Sequence, residues 1–106
     1  MPPYTIEQIK NEVSQASEEY NATAPLGEKI ASVSLFGSYA DGRATRRSDI
    51  DLLVRFTSAV VSLFTLARVL SCMEERSGVS VDVVQDPVSD DSLLVVNKVV
   101  PLYERL

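Results

Sequence analysis

LFGSYADGRATRRSDIDLLVRF, from Leu35 to Phe56, decides the fold of this chain. Upstream, Ala31, Val33 and Leu35 alternate with Ser32 and Ser34, the period of a strand with one buried face. Gly37 closes that strand and lets a bound group approach the backbone closely. If Ser38 opens a short helical turn ending at Gly42, its first N–H groups and its hydroxyl form an anion site, with phosphate the obvious anion. A basic loop with Arg43, Arg46 and Arg47 follows. A second strand begins at Asp49-Ile50-Asp51 and continues through Leu52, Leu53, Val54 and Phe56. Alternation places Asp49 and Asp51 on one face and Ile50 and Leu52 on the other. Two carboxylates held a few ångströms apart repel, so a cation between them is the natural relief. Oxygen-only ligation favours magnesium or manganese over zinc or copper.

Further along, Val79, Val81, Val83 and Val84 mark a β-branched third strand ended by Pro87, and Asp82 sits among these valines. An aspartate in an apolar strand is expensive unless it is paired or metal-bound. If the third strand lies beside the second in suitable register, Asp49, Asp51 and Asp82 converge. Each piece has a plainer meaning. A D-x-D pair alone marks many solvated strand ends, Gly-Ser many turns, the three arginines a soluble loop, and Asp82 a solvent-facing position on a half-exposed strand. Their order along the chain sets them apart: strand, Gly-Ser, basic loop, D-x-D strand, helix, then an aspartate in an apolar strand.

The rest of the chain completes an α/β pattern. Thr5 and Gln8 form a T-x-x-Q capping box. Ile6, Ile9, Val13, Ala16 and Tyr20 follow on one helical face, with the helix ending near Asn21 and a loop at Pro25 and Gly27. Leu63, Leu66, Ala67, Leu70 and Met73 keep helical spacing up to Gly78, which suits a helix C-terminus. A short helix is expected from about Asp90 to Val96, and an edge strand from Val99 to Tyr103, where Pro101 is tolerated. No repeat or linker interrupts the pattern, so residues 1–106 are expected to form one α/β domain.

Composition narrows the chemistry. Fifteen acidic against ten basic side chains give a net charge of -5, which disfavours stable nucleic-acid binding outside the arginine patch. The sequence contains no histidine, which removes His-based triads and His-ligated metals. Cys72 is the only cysteine and reads as a small buried hydrophobe. Carboxylates, hydroxyls and cations must carry any reaction. No stretch is apolar and long enough to span a bilayer, and the N-terminus has no signal core, so the expected location is cytoplasmic.

Gly37-Ser38, nine intervening residues and then Ser48-Asp49-Ile50-Asp51-Leu52 resemble the signature of the polymerase-β-type nucleotidyltransferase superfamily. The short chain resembles its minimal nucleotidyltransferase (MNT) branch, the antitoxins of HEPN/MNT modules. The likeness runs from the leading helix through LFGS, SDIDLLV and VDVV to the closing VPLYE. It implies a small mixed β-sheet with helices packed on it. Gly37, Ser38 and Ser48 would then belong to the site for an ATP triphosphate. Asp49 and Asp51 would hold two magnesium ions, and Asp82 would complete the catalytic site beside the attacking hydroxyl. The implied reaction is in-line attack on the α-phosphorus, with one ion activating the nucleophile and the other neutralising pyrophosphate. Relatives often carry a basic residue at the position of Asp41 and an acidic one at that of Arg43; this chain reads ADGR where ARGE is commoner. A negative Asp41 near triphosphate is unfavourable unless it points away, and nucleotide contacts would pass to Arg43, Arg46 or Arg47.

Larger relatives add a domain that grips the acceptor, and none is expected within these 106 residues. The acceptor is therefore expected to be held by a partner or by a second copy in a homodimer. The resemblance implies a HEPN-domain toxin as partner, neutralised in some modules by AMP transfer to a tyrosine hydroxyl. Two other readings stand beside it: an antitoxin that inhibits by occlusion with catalysis idle, and a nucleotidyltransferase for a small molecule such as an aminoglycoside.

Overall fold

The computed structural model describes residues 4–78, 80–86 and 99–105. Four strands form one mixed sheet in the order β3-β2-β1-β4. They are β1 (Ile30–Phe36), β2 (Ile50–Phe56), β3 (Val81–Gln85) and β4 (Val100–Glu104). The first strand runs antiparallel to both β2 and β4, whereas β2 and β3 are parallel. A parallel pair needs a crossover, and here it is the helix α3 (Leu63–Ser77). The long helix α1 (Ile6–Thr23) packs against α3 and the β1–β4 side of the sheet. Between β1 and β2 lies the one-turn helix α2 (Gly37–Asp41). The fold class is thus the expected small mixed sheet with helices packed on it.

The capping box closes as read: the Thr5 N–H donates to Gln8 Oε1 at 2.8 Å and the Gln8 N–H to Thr5 Oγ1 at 3.1 Å. The helix runs past Asn21 to Thr23, because Asn21 is not a terminator but a buried clamp. Its side chain accepts the Ile30 N–H at 2.7 Å and donates to the Ile30 carbonyl at 2.9 Å, fastening α1 to the start of β1. Accordingly the buried face is Ile9, Val13, Ala16, Ser17 and Asn21, while Ile6 is exposed and Tyr20 only partly covered.

Strand β1 slips by one residue at its start. A register shift between Ile30 and Ser32 turns Ile30 into the core, in place of the expected Ala31. Helix α3 departs further. Its buried residues are Thr65, Val69 and Met73, with Leu66 and Leu70 partly covered, whereas Leu63 and Ala67 face outward. Ser62 caps the helix by accepting the Thr65 N–H at 3.2 Å, and the Thr65 hydroxyl donates to Glu28. Those bonds turn Thr65 inward and Leu63 outward. Gly78 ends the helix in the left-handed region at φ 73°, donating to the Glu74 carbonyl at 2.8 Å.

Strand β4 is an edge strand, as Pro101 required. The expected helix at Asp90–Val96, the Pro87 strand end and Val79 lie outside the described residues. No described helix is long and apolar enough to cross a membrane.

Candidate functional site

The first part of the site is the turn after β1. Gly37 adopts φ 75°, a left-handed conformation that favours glycine, and Gly42 closes α2 at φ 76°. Tyr39 and Ala40 are buried and anchor the turn to the core. No side chain caps α2, so its first N–H groups have no partner within so short a helix. The Arg43 N–H donates to the Ser38 carbonyl at 2.9 Å, folding the basic loop back onto the turn.

Asp51 occupies the second position of β2, where it pairs with Phe36 on one side and with Asp82 on the other. The conditional register of the sequence reading is therefore the observed one. A Cβ added to Gly37 would lie 2.1 Å from Asp51 Oδ2 and 3.0 Å from its Cγ. The group that crowds Gly37 is the protein's own carboxylate. Burial first, then the charge of Asp82 and a side-chain hydrogen bond with it, and last the charge of Asp49, push the Asp51 carboxyl from 3.8 up to about 6.

Asp82 itself is exposed on β3, so its burial does not demand a partner; its register does the work of bringing it to Asp51. Asp49 is exposed just ahead of β2 and acts on Asp51 through its charge. Among the described residues, no three carboxylate, thiol or imidazole side chains are gathered tightly enough to form a finished metal cage. What the fold supplies is an abutting pair, Asp51 and Asp82, with a third acidic charge close by. All the donors are oxygens, and the pair is strained by like charge. Both properties fit a hard divalent cation, above all one that retains waters in its shell.

Asp51 and Asp82 lie at the side of an open groove of about 530 Å³. Phe36, Gly37, Leu70, Val81, Val83 and Val84 form its other walls. Sequence reading took Leu70 only as a core residue, and no local pattern marks Val84 as a groove wall. Both follow from which strand lies beside β2.

The basic loop is less available than its composition suggests. Arg43 Nη2 donates to Asp41 Oδ2 at 2.8 Å, an ion pair that spans Gly42. Ser48 Oγ accepts the Thr45 N–H at 2.8 Å, and the Ser48 N–H donates to the Thr45 carbonyl at 3.1 Å, so Ser48 locks the turn that carries Arg46 and Arg47. Arg46 and Arg47 are exposed.

A family model described as a nucleotidyltransferase domain matches residues 6–100. Two Methanocaldococcus jannaschii proteins, provisionally named protein adenylyltransferases, are 37% and 41% identical over 57 and 58 residues. Each alignment spans 53% of this chain and 57% or 56% of the relative, so the chain covers little more than half the length of these relatives. Among solved structures, a toxin–antitoxin with AMP-PNP is similar at a TM-score of 0.59 and 22% identity, over 76% of this chain and 60% of that one. A mutant of the toxin–antitoxin MntA-HpeT is similar at a TM-score of 0.67 and 20% identity, over 91% and 73%.

Proposed function

The chain belongs to the nucleotidyltransferase domain family, and on that footing we propose that it transfers AMP from ATP to a hydroxyl of a HEPN-type toxin, acting as its antitoxin. The observation that carries this reading is the position of Asp51, pressed against Gly37 on one side and in register with Asp82 on the other, beside an open groove. The names of the relatives, the AMP-PNP in one structural neighbour and the toxin–antitoxin nature of both support it.

In this reading Gly37 and Ser38 present backbone N–H groups to the triphosphate, and Arg46 and Arg47 contribute positive charge. Arg43 joins them when it leaves Asp41. Asp49, Asp51 and Asp82 hold divalent cations, two magnesium ions with manganese as the alternative. Such ions, when bound, lower the pKa of the attacking hydroxyl and neutralise the departing pyrophosphate. Asp82, the more exposed member of the abutting pair, faces the acceptor and is the base closest to its proton. The acceptor oxygen bonds to the α-phosphorus while the bond from that phosphorus to the bridging oxygen breaks, so pyrophosphate leaves in line.

A second reading, occlusion of the toxin without catalysis, draws on the Asp41–Arg43 pair and on the looser position of Asp49. One experiment separates the two. The chain is incubated with a HEPN toxin, magnesium and ATP labelled in the α-phosphate, and toxin activity is measured alongside. Transfer predicts label on the toxin and loss of both label and neutralisation in the Asp49→Asn/Asp51→Asn variant. An unlabelled toxin that is nonetheless neutralised, by the variant as well, would overturn the transfer reading.

A further inference from the structure

Helix α3 carries an outward stripe that no described element covers. Phe64, Ala67, Arg68, Ser71 and Glu75 are all exposed, at a spacing of three or four that aligns them on one side. Phe64 is 83% exposed, and its neighbours Val60 and Leu63 are 83% and 82% exposed. Isolated apolar residues on a surface are ordinary; three large ones together at one helix end are a mark of an interface. Along the stripe runs a groove of about 690 Å³ between α3 and the last turns of α1, from Phe64 to Glu75 on one wall and from Glu19 to Ala24 on the other.

The charges indicate what fits there. Arg68 and Glu75 stand seven residues apart, two turns along the same face. Arg68 is held only loosely, 3.4 Å from Glu28 with its side chain 61% exposed. Glu75 makes no ion pair among the described residues. Midway between them sits Ser71, and Ala67 lies one turn before it, both small enough for a second helix to approach closely. Turned end for end, this face complements itself: each Arg68 meets a Glu75 across the axis. The helix residue that lines the catalytic groove is Leu70, on a different side of α3. A substrate protein docked on the stripe would not, by that contact, bring its hydroxyl to Asp82, whereas a second copy on the stripe leaves the groove beside Asp51 and Asp82 open.

We propose that the outer face of α3 is the interface of a homodimer, two α3 helices packing antiparallel about a two-fold axis beside Ser71. This contact does not depend on the transfer chemistry. The interface is isologous, so each substitution acts twice.

Sedimentation velocity of the full chain over a wide concentration range tests it. Arg68→Glu and Glu75→Arg should each weaken the dimer by roughly tenfold or more, because each creates two like-charge contacts. The double reversal should restore it. Phe64→Asp, at a site too exposed to be needed for folding, should favour monomer. In a Cys72→Ser background, Ser71→Cys should form a covalent dimer under mild oxidation. Four results would each overturn the proposal: a monomer throughout, a double reversal no better than the singles, a Phe64→Asp variant still dimeric, or no Ser71→Cys cross-link in a protein that dimerises. Circular dichroism of each variant keeps a folding defect apart from a lost contact.

Discussion

Replacing Gly37 by alanine tests whether the crowding between this glycine and Asp51 is the keystone of the site. Two effects are combined at this position and can be separated by a control. The first is conformational: a left-handed φ of 75° costs an alanine about 1 kcal/mol. The second is the new Cβ, 2.1 Å from Asp51 Oδ2, where an unstrained contact needs roughly 3.5 Å. The oxygen is the end of a side chain, so it can swing away and the fold survives, but its retreat is hindered by Asp82 on its other flank. Contacts at 3.0 and 3.3 Å to Cγ and Cβ add up to about 1 kcal/mol more. Gly42 has nearly the same φ, 76°, and nothing within 4 Å of an added Cβ. Gly42→Ala should therefore lose about 1 kcal/mol, some 4–8 °C in Tm for a domain of this size, and keep magnesium-dependent ATP binding. Gly37→Ala should lose up to about 2 kcal/mol and lose that binding altogether. Thermal unfolding and calorimetric titration with ATP and magnesium read both quantities. Should Gly37→Ala bind magnesium-ATP as well as Gly42→Ala, the proposition that Asp51 must sit against Gly37 is wrong.

Other positions give separate expectations. Asp51 carries a carboxyl whose folded pKa, about 6, lies above its ordinary 3.8. Its ionisation therefore destabilises the metal-free fold fully above pH 6, and the effect fades as pH falls towards 3.8. Asp51→Asn should be more stable than wild type at pH 7.5 by about 1 kcal/mol, less than the full rise from 3.8 to about 6 would give, because the group is only partly buried and solvent screens it. That advantage should vanish near pH 4, and urea unfolding of both proteins across pH measures the difference. Magnesium should stabilise the wild type more at pH 7.5 than at pH 5, where the proton competes with it, and should leave Asp51→Asn unchanged; equal stabilisation at both pH values would contradict this. Ser17 is fully buried with no hydrogen-bond partner for its hydroxyl among the described residues, so Ser17→Ala should gain about 1 kcal/mol by urea unfolding. Asn21→Ala should lose about 2–3 kcal/mol, since it orphans both the N–H and the carbonyl of Ile30.

The sequence was most legible where local chemistry decides the outcome. The Thr5–Gln8 capping box, the strand through Val33 and Leu35, the glycine-closed turn and the edge position of Pro101 rest on short-range rules that tertiary packing did not override. It was least legible where long-range contacts choose between equivalent local options. Leu63 has the spacing and the hydrophobicity of a core residue, yet Thr65, tied to Glu28 some thirty-seven positions away, takes the inward face. Asn21 reads as a helix end until its partner Ile30 is in place. The site shows both behaviours at once. Its carboxylates are visible as D-x-D and as an aspartate among valines, but their meeting depends on how far α3 lets β3 advance along β2. A shift of one residue in that parallel register would put Asp51 beside Val81 or Val83, turn Asp82 to the opposite face and leave a charge with no partner to share an ion. The register seen, Asp51 opposite Asp82, places the two repelling carboxylates side by side although apolar neighbours were available on either side. The Asp82 charge adds to burial in raising the Asp51 pKa and so works against the ionised fold, and it is the burial of Val81 beside Ile50 and Leu52 that holds the register against it. A divalent cation at the proposed site would reverse the sign of the carboxylate interaction and so add to what holds β3 in this register.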